Sequence, residues 1–113
     1  MPDYEISVGD VAVISLSDGT NEFPAANLFP SVSPDEWAKY PESISKEGKL
    51  KTIFGCFILR SAGETILVDT GFGPDLPGRL PEDLASKGID PAEMTIVAIT
   101  HLHPDHVGWN ITT

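Results

Sequence analysis

One stretch decides how this chain is read: Thr100-His101-Leu102-His103-Pro104-Asp105-His106. It holds all three histidines of the 113-residue protein and a carboxylate beside them. A lone histidine is usually a solvated or hydrogen-bonded side chain, but this density favours a metal site. Neutral imidazole nitrogen and carboxylate oxygen are donors that zinc and other borderline divalent ions accept.

The spacing within the stretch predicts how the donors are directed. Residues 94–100 are short and rich in β-branched types, which is typical of a buried strand. His101 and His103 are two positions apart, so in extended backbone they project from the same side and can reach one ion. Pro104 then ends the strand and bends the chain.

The remaining donors follow the bend. Asp105 and His106 are adjacent, so we expect them to point in directions different from those of the first pair. The simplest prediction is two neighbouring metal sites, with His101 and His103 on one and Asp105 and His106 on the other. Leu102 is expected to face the opposite way, into apolar packing. A single closed zinc site that uses all four side chains is the less favoured alternative, because adjacent residues do not easily complete one tetrahedron with the strand pair.

The stretch resembles the His-x-His-x-Asp-His motif of the metallo-β-lactamase-fold hydrolases. Upstream, Ile66-Leu67-Val68-Asp69-Thr70-Gly71 is similar to the strand of that superfamily that ends in Asp-Thr-Gly. Val107-Gly108-Trp109-Asn110 has Gly-Trp where glyoxalase II-like members usually show Gly-Gly, which favours the lactonase-like and organophosphate-hydrolase-like branches. The resemblance implies an α/β fold, the N-terminal half of an αββα sandwich with a mixed or antiparallel sheet and short helices. We expect residues 1–113 to form a single incomplete domain of this type.

The resemblance also implies a chemistry. It predicts a metal-dependent hydrolase that uses a metal-bound hydroxide on a small-molecule ester, lactone or related substrate. The metal ligands would be His101, His103, Asp105 and His106, and Asp105 would also hold and orient the nucleophile. Asp69 would lie behind the ligands and fix their orientation. The expected cofactor is zinc, as two ions, with iron or manganese as alternatives.

Other functions stay open at this point. An iron-dependent oxidoreductase of the same superfamily can use the same motif, and a non-catalytic metal-binding or interaction module is the alternative from a different class. A catalytic zinc takes three protein ligands and water, so each predicted site is one ligand short within this chain. We therefore expect weak or no activity from the chain alone, with a missing C-terminal half, an oligomer or a second polypeptide supplying the rest.

Composition excludes several classes. Seventeen acidic residues against 7 basic ones give a net charge of −10, and no basic cluster is present, so nucleic acid is not an expected partner. The one cysteine, Cys56, cannot form an internal disulfide and is expected to be a buried structural thiol. No apolar run is long enough for a membrane span, and the N-terminus does not resemble a signal peptide. The expected location is the cytoplasm.

Strands are predicted over residues 10–16, 52–60 and 65–69. The last two form a hairpin around the four-residue loop 61–64, and their nearly continuous apolar character predicts a sheet covered on both faces. Residues 17–20, Ser-Asp-Gly-Thr, predict a turn after the first strand.

Two helices are also predicted. One starts at Ser33 and Pro34, and the other covers residues 81–87 and stops at Gly88. Residues 21–50 are irregular, and their aromatic side chains are expected to pack on their own domain. A pocket near the metals walled by Phe23, Phe29 or Trp37 is the functional alternative.

Overall fold

The computed structural model describes residues 3–74 and 78–110. It is an α/β fold, as predicted, with a five-stranded sheet in the order β1-β2-β3-β4-β5. The strands are β1 Glu5–Val8, β2 Val11–Pro24, β3 Lys49–Ser61, β4 Glu64–Val68 and β5 Ile96–Ala98. The helices are α1 Ala25–Leu28, α2 Pro34–Trp37, α3 Leu80–Ser86 and α4 Pro104–Val107, with a 3-10 turn at Pro91–Glu93. None of the helices in the described part of the chain has the length and apolar character needed to cross a membrane.

The predicted hairpin is confirmed as the antiparallel pair β3 and β4, with Ser61 opposite Glu64. Its loop is shorter than predicted. Ala62 and Gly63 both have positive φ, 51° and 80°, so two residues close the hairpin instead of four. Two left-handed residues in succession match the twist of the flanking strands, which lets the ladder extend to the turn.

A parallel pairing of β4 with β5 places the residues of interest at one end of the sheet. Val68 lies opposite Ala98, and the Asp69 N–H continues the pairing by donating to the Ala98 carbonyl at 2.8 Å. β5 is shorter than the predicted strand 94–100, and the backbone has left the sheet before His101. Asp69 and the histidine stretch therefore emerge side by side.

The predicted turn at residues 17–20 is wrong, because β2 runs straight through it. The prediction assumed that Asp18 would bond its own backbone, as aspartate does in turns. Instead the residue is 2% exposed, and its carboxylate accepts hydrogen bonds from distant segments. Tertiary contacts thus outweigh the local turn preference.

The described chain forms two compact units, residues 1–19 with 54–113 and residues 20–53. In the first unit, the core joins the sheet to α3 through eight buried side chains: Ile14, Leu16, Cys56, Ile58, Leu67, Leu80, Leu84 and Ile89. The expectation that both faces of the sheet are covered is wrong here, because Phe57 and Ile96 each remain 44% exposed. The helix α3 supplies Leu80 and Leu84 to this one core.

The second unit, residues 20–53, contains α1 and α2. The predicted helix start is confirmed, since Ser33 Oγ accepts the Glu36 N–H at 3.3 Å and Pro34 occupies the first turn. The Trp37 ring lies 5.8 Å from that of Phe29 and lines a cavity of about 320 Å³ within this unit. A substrate pocket near the metals stays a prediction.

Candidate metal centre

Asp69 is the residue on which the candidate site is built. It follows β4 directly and has φ 63°, a left-handed conformation that aspartate tolerates better than most residues. The turn directs its carboxylate, in a side chain that is 9% exposed, toward the segment after β5. There Oδ1 accepts the Thr100 N–H at 2.8 Å, and the Thr100 hydroxyl lies within 3.0 Å of both oxygens.

The same carboxylate contacts a predicted ligand. His106 Nδ1 lies 2.7 Å from Asp69 Oδ2. Burial raises the pKa of the Asp69 carboxyl, but hydrogen bonds from Thr100 and His106 outweigh burial and hold that pKa below its ordinary value. An ionised carboxylate only accepts, so the proton of a neutral His106 lies on Nδ1 and Nε2 keeps its lone pair.

Thr100 extends this arrangement to a second histidine. Its Oγ1 lies 2.9 Å from His101 Nδ1. The single hydroxyl proton of Thr100 is directed to Asp69, so its oxygen is free to accept from His101 Nδ1–H. One carboxylate therefore leaves Nε2 unprotonated on two histidines, on one directly and on the other through a hydroxyl.

The four predicted ligands converge. Donor atoms of His101, His103 and Asp105 lie within 4.8 Å of one another, with both histidines exposed and the aspartate half-buried. The rings of His101 and His103 are 4.6 Å apart at their centroids, and those of His101 and His106 are 3.9 Å apart. Imidazole and carboxylate together suit a borderline divalent ion, so this donor set fits zinc.

The distances between donor atoms group the ligands differently from the predicted division between two ions. The three side chains whose donor atoms form the close group are Asp105, His101 and His103. His106 Nε2 lies 3.4 Å from Asp105 Oδ2. Asp105 thus lies between the two groups. Whether the four side chains hold one ion or two stays a prediction.

The bend at Pro104 begins α4, with His103 in extended backbone immediately before it. One expectation about this bend is wrong: Leu102 is 83% exposed and does not enter apolar packing in the described chain. The prediction assumed that the strand continues to this residue. Because β5 ends at Ala98, Leu102 lies beyond the end of that strand.

The sequence patterns assign no role to Thr100 and place Asp18 in a turn. Thr100 precedes the motif, and its hydroxyl is the signal that could have revealed it. Asp18 lies far away in sequence, and its buried carboxylate accepts from Phe72, Gly73, Leu80 and Trp109. No local pattern identifies such a residue.

Comparison with known proteins agrees with this geometry. The family description "Metallo-beta-lactamase superfamily" matches residues 56–112, which include β4, Asp69 and all four predicted ligands. This chain belongs to the metallo-β-lactamase superfamily. A superfamily relative, metallo-beta-lactamase domain-containing protein 1 of Mus musculus, is 54% identical over 43 residues, which are 38% of this chain and 16% of that protein.

Solved structures of the superfamily show the same fold. The hydrolase AbOPH has a TM-score of 0.80 and 30% identity, over 92% of this chain and 37% of its own. AidC, a dizinc quorum-quenching lactonase, also has a TM-score of 0.80, at 23% identity and with the same coverage. The present chain therefore spans little more than a third of the length of these two proteins.

Proposed function

We propose that this chain carries metal ligands of a hydrolase that acts on a small-molecule ester, lactone or related substrate. The observation that carries the proposal is the cluster of His101, His103 and Asp105, whose donor atoms lie within 4.8 Å of one another. Hydrolysis is supported by the superfamily membership and by the hydrolase that is 30% identical to this chain. Because the chain spans 37% of that hydrolase, turnover is proposed for a complete protein that contains it.

The chain's own residues divide the work. His101, His103 and His106 would hold the metal through neutral imidazole nitrogens, and Asp69 holds His106 with its Nε2 available. Asp105 is the one carboxylate of the cluster that can accept a hydrogen bond from the attacking water and orient it. A metal held by these residues would supply Lewis acidity toward the substrate oxygen and the attacking water. We propose zinc as this metal, as two ions, and the cytoplasm as the location.

Zinc affinity of the 113-residue chain tests the proposal. Changing His101 and His103 to alanine together should lower the zinc affinity more than roughly 100-fold. Even the change of a residue that only supports a ligand lowers metal affinity about 10–100-fold. The chain carries a charge of −10, so exposed acids could attract cations without a site. The matched control therefore changes Asp35 and Glu42, two exposed acids of the other unit, to their amides.

Competition with a chromophoric chelator measures these affinities. Equal affinities in the histidine variant and in the parent chain would contradict the proposal. Elemental analysis of the protein as isolated then separates zinc from iron, and iron with redox activity would favour the oxidoreductase. A panel of ester and lactone substrates, assayed on the longest protein that contains this chain, tests turnover. Tight zinc binding without turnover there would favour a binding module.

A further inference from the structure

Asp18 gathers three separate segments of the first unit. Its Oδ2 accepts the backbone N–H groups of Phe72 and Gly73 at 2.7 and 3.2 Å. Its Oδ1 accepts the N–H of Leu80 at 2.8 Å and the indole N–H of Trp109 at 2.7 Å. All four partners only donate, so the ionised carboxylate satisfies them and has no need of a cationic side chain.

The atoms around this carboxylate are closely packed. A Cβ added at Gly71 would lie 2.5 Å from the Asp18 side chain, and one added at Gly108 would lie 1.9 Å from the Phe72 carbonyl carbon. Both distances are shorter than non-bonded atoms tolerate. The loop after Asp69 and the chain after α4 are therefore in close contact, and Asp18 packs against that loop.

From Trp109 the contacts lead to a metal ligand. The backbone N–H of Trp109 donates to the Thr70 carbonyl at 3.1 Å, and the backbone N–H of Gly108 donates to the Gly71 carbonyl at 2.7 Å. In return, the Thr70 N–H donates to the His106 carbonyl at 2.9 Å, and the Thr70 hydroxyl donates to it at 3.1 Å. These hydrogen bonds fix α4 against the loop that carries Asp69.

We infer that Asp18 and Trp109 form a positioning pair for the metal centre. By holding the indole, Asp18 sets the position of α4 relative to the loop after β4, and so sets the contact between Asp69 and His106. Within the described residues, neither side chain forms a hydrogen bond with a candidate ligand. The inference rests on the proposed function, because it assigns this pair a role toward the same metal site.

The chain offers a matched pair of variants. Trp109→Phe removes the indole N–H that Asp18 accepts and keeps an aromatic ring. Trp37→Phe removes an indole N–H for which the described residues provide no hydrogen-bond partner. We expect Trp109→Phe to weaken zinc binding roughly tenfold, the lower end of the loss seen when a residue that supports a metal ligand is changed, and Trp37→Phe to leave it within about twofold.

A spectroscopic measurement separates positioning from general damage. Cobalt bound in place of zinc has ligand-field absorption that reports the arrangement of its donors. We expect this spectrum to change in Trp109→Phe and to be the same in Trp37→Phe and in the parent chain. Identical affinities and spectra in the two variants would overturn the inference.

The unmodified chain provides a second measurement that does not depend on a variant folding. If Trp109 positions the ligands, bound metal must in turn stabilise the position of Trp109, because coupling between two sites is reciprocal. Saturating zinc should therefore slow hydrogen exchange of the Trp109 indole N–H and leave that of Trp37 unchanged. Equal Trp109 exchange with and without bound zinc refutes the coupling.

The two proposals fail in different ways. If the variant with alanine at His101 and His103 binds zinc as the parent does, the metal site is absent and the positioning role is refuted with it. If zinc binding requires those histidines but is insensitive to Trp109, the site stands and only the positioning role is refuted.

Discussion

Replacing Asp69 with asparagine exchanges one oxygen of a buried carboxylate for an NH₂ group and should reverse the tautomer of His106, a proposed metal ligand. Asparagine tolerates the left-handed backbone at this position, φ 63°, so the substitution adds little strain. The Thr100 N–H can only donate, and it lies 2.8 Å from Oδ1, so the amide oxygen must occupy that place. The amide NH₂ is then directed at His106 Nδ1.

This reversal sets the size of the expected effect. His106 can avoid two opposed donors by moving its proton from Nδ1 to Nε2, which removes the lone pair that would bind a metal. Changes in residues behind metal ligands lower affinity about 10- to 100-fold, or about 1.4–2.8 kcal/mol. We expect Asp69→Asn to fall near the upper end, because it blocks one ligand atom.

Two measurements check this prediction: zinc affinity by chelator competition, and the ¹⁵N shifts of the His106 ring, which distinguish the tautomers. Asp83→Asn is the control, because Asp83 lies in the same unit and its carboxylate accepts from the Ser17 N–H and the Lys87 ammonium group. The reasoning is refuted if Asp69→Asn binds zinc within twofold of the parent chain while His106 keeps its proton on Nδ1.

Two further predictions concern stability. Burial, followed by the negative charge of Asp18, raises the pKa of the Cys56 thiol from 9.0 to about 12. The unfolded chain therefore loses the thiol proton at a lower pH than the folded chain does. The stabilisation is complete below pH 9 and is lost between pH 9 and 12. Urea unfolding of the parent and Cys56→Ala chains at several pH values should show a fall in the free energy of unfolding that is smaller in the variant. Gly108→Ala places a Cβ 1.9 Å from the Phe72 carbonyl carbon and should cost at least about 3 kcal/mol, whereas Gly55→Ala, whose Cβ meets its nearest atom at 3.9 Å, should cost less than about 1 kcal/mol. Equal unfolding midpoints for the two glycine variants would contradict a close contact between Gly108 and Phe72.

Local patterns were sufficient for part of the fold. The β3–β4 hairpin, the start of α2 and the helix before Gly88 follow from apolar runs, a serine cap and a terminal glycine. These signals act over a few residues, so neighbouring sequence contains them in full. The buried state of Cys56 was predicted in the same way, from the apolar strand around it.

Long-range contacts decided what the local patterns described wrongly. Asp18 looked like a turn residue, but it is buried in β2 because donors from residues 72, 73, 80 and 109 reach it. Leu102 looked like a packed residue, but it is exposed because the strand ends earlier than its composition predicts. Neither the donors nor the end of the strand can be read from adjacent residues.

The sequence by itself determined which donors are available and what chemistry they suit, because the identity and spacing of His101, His103, Asp105 and His106 are properties of the chain. Only the tertiary structure decided how those donors are oriented. The parallel pairing of β4 with β5 brings Asp69 beside Thr100 and His106, residues more than 30 positions away. Hydrogen bonds at such separations depend on the folded path of the backbone, and these bonds fix which ring nitrogen of His106 carries the proton and which keeps its lone pair.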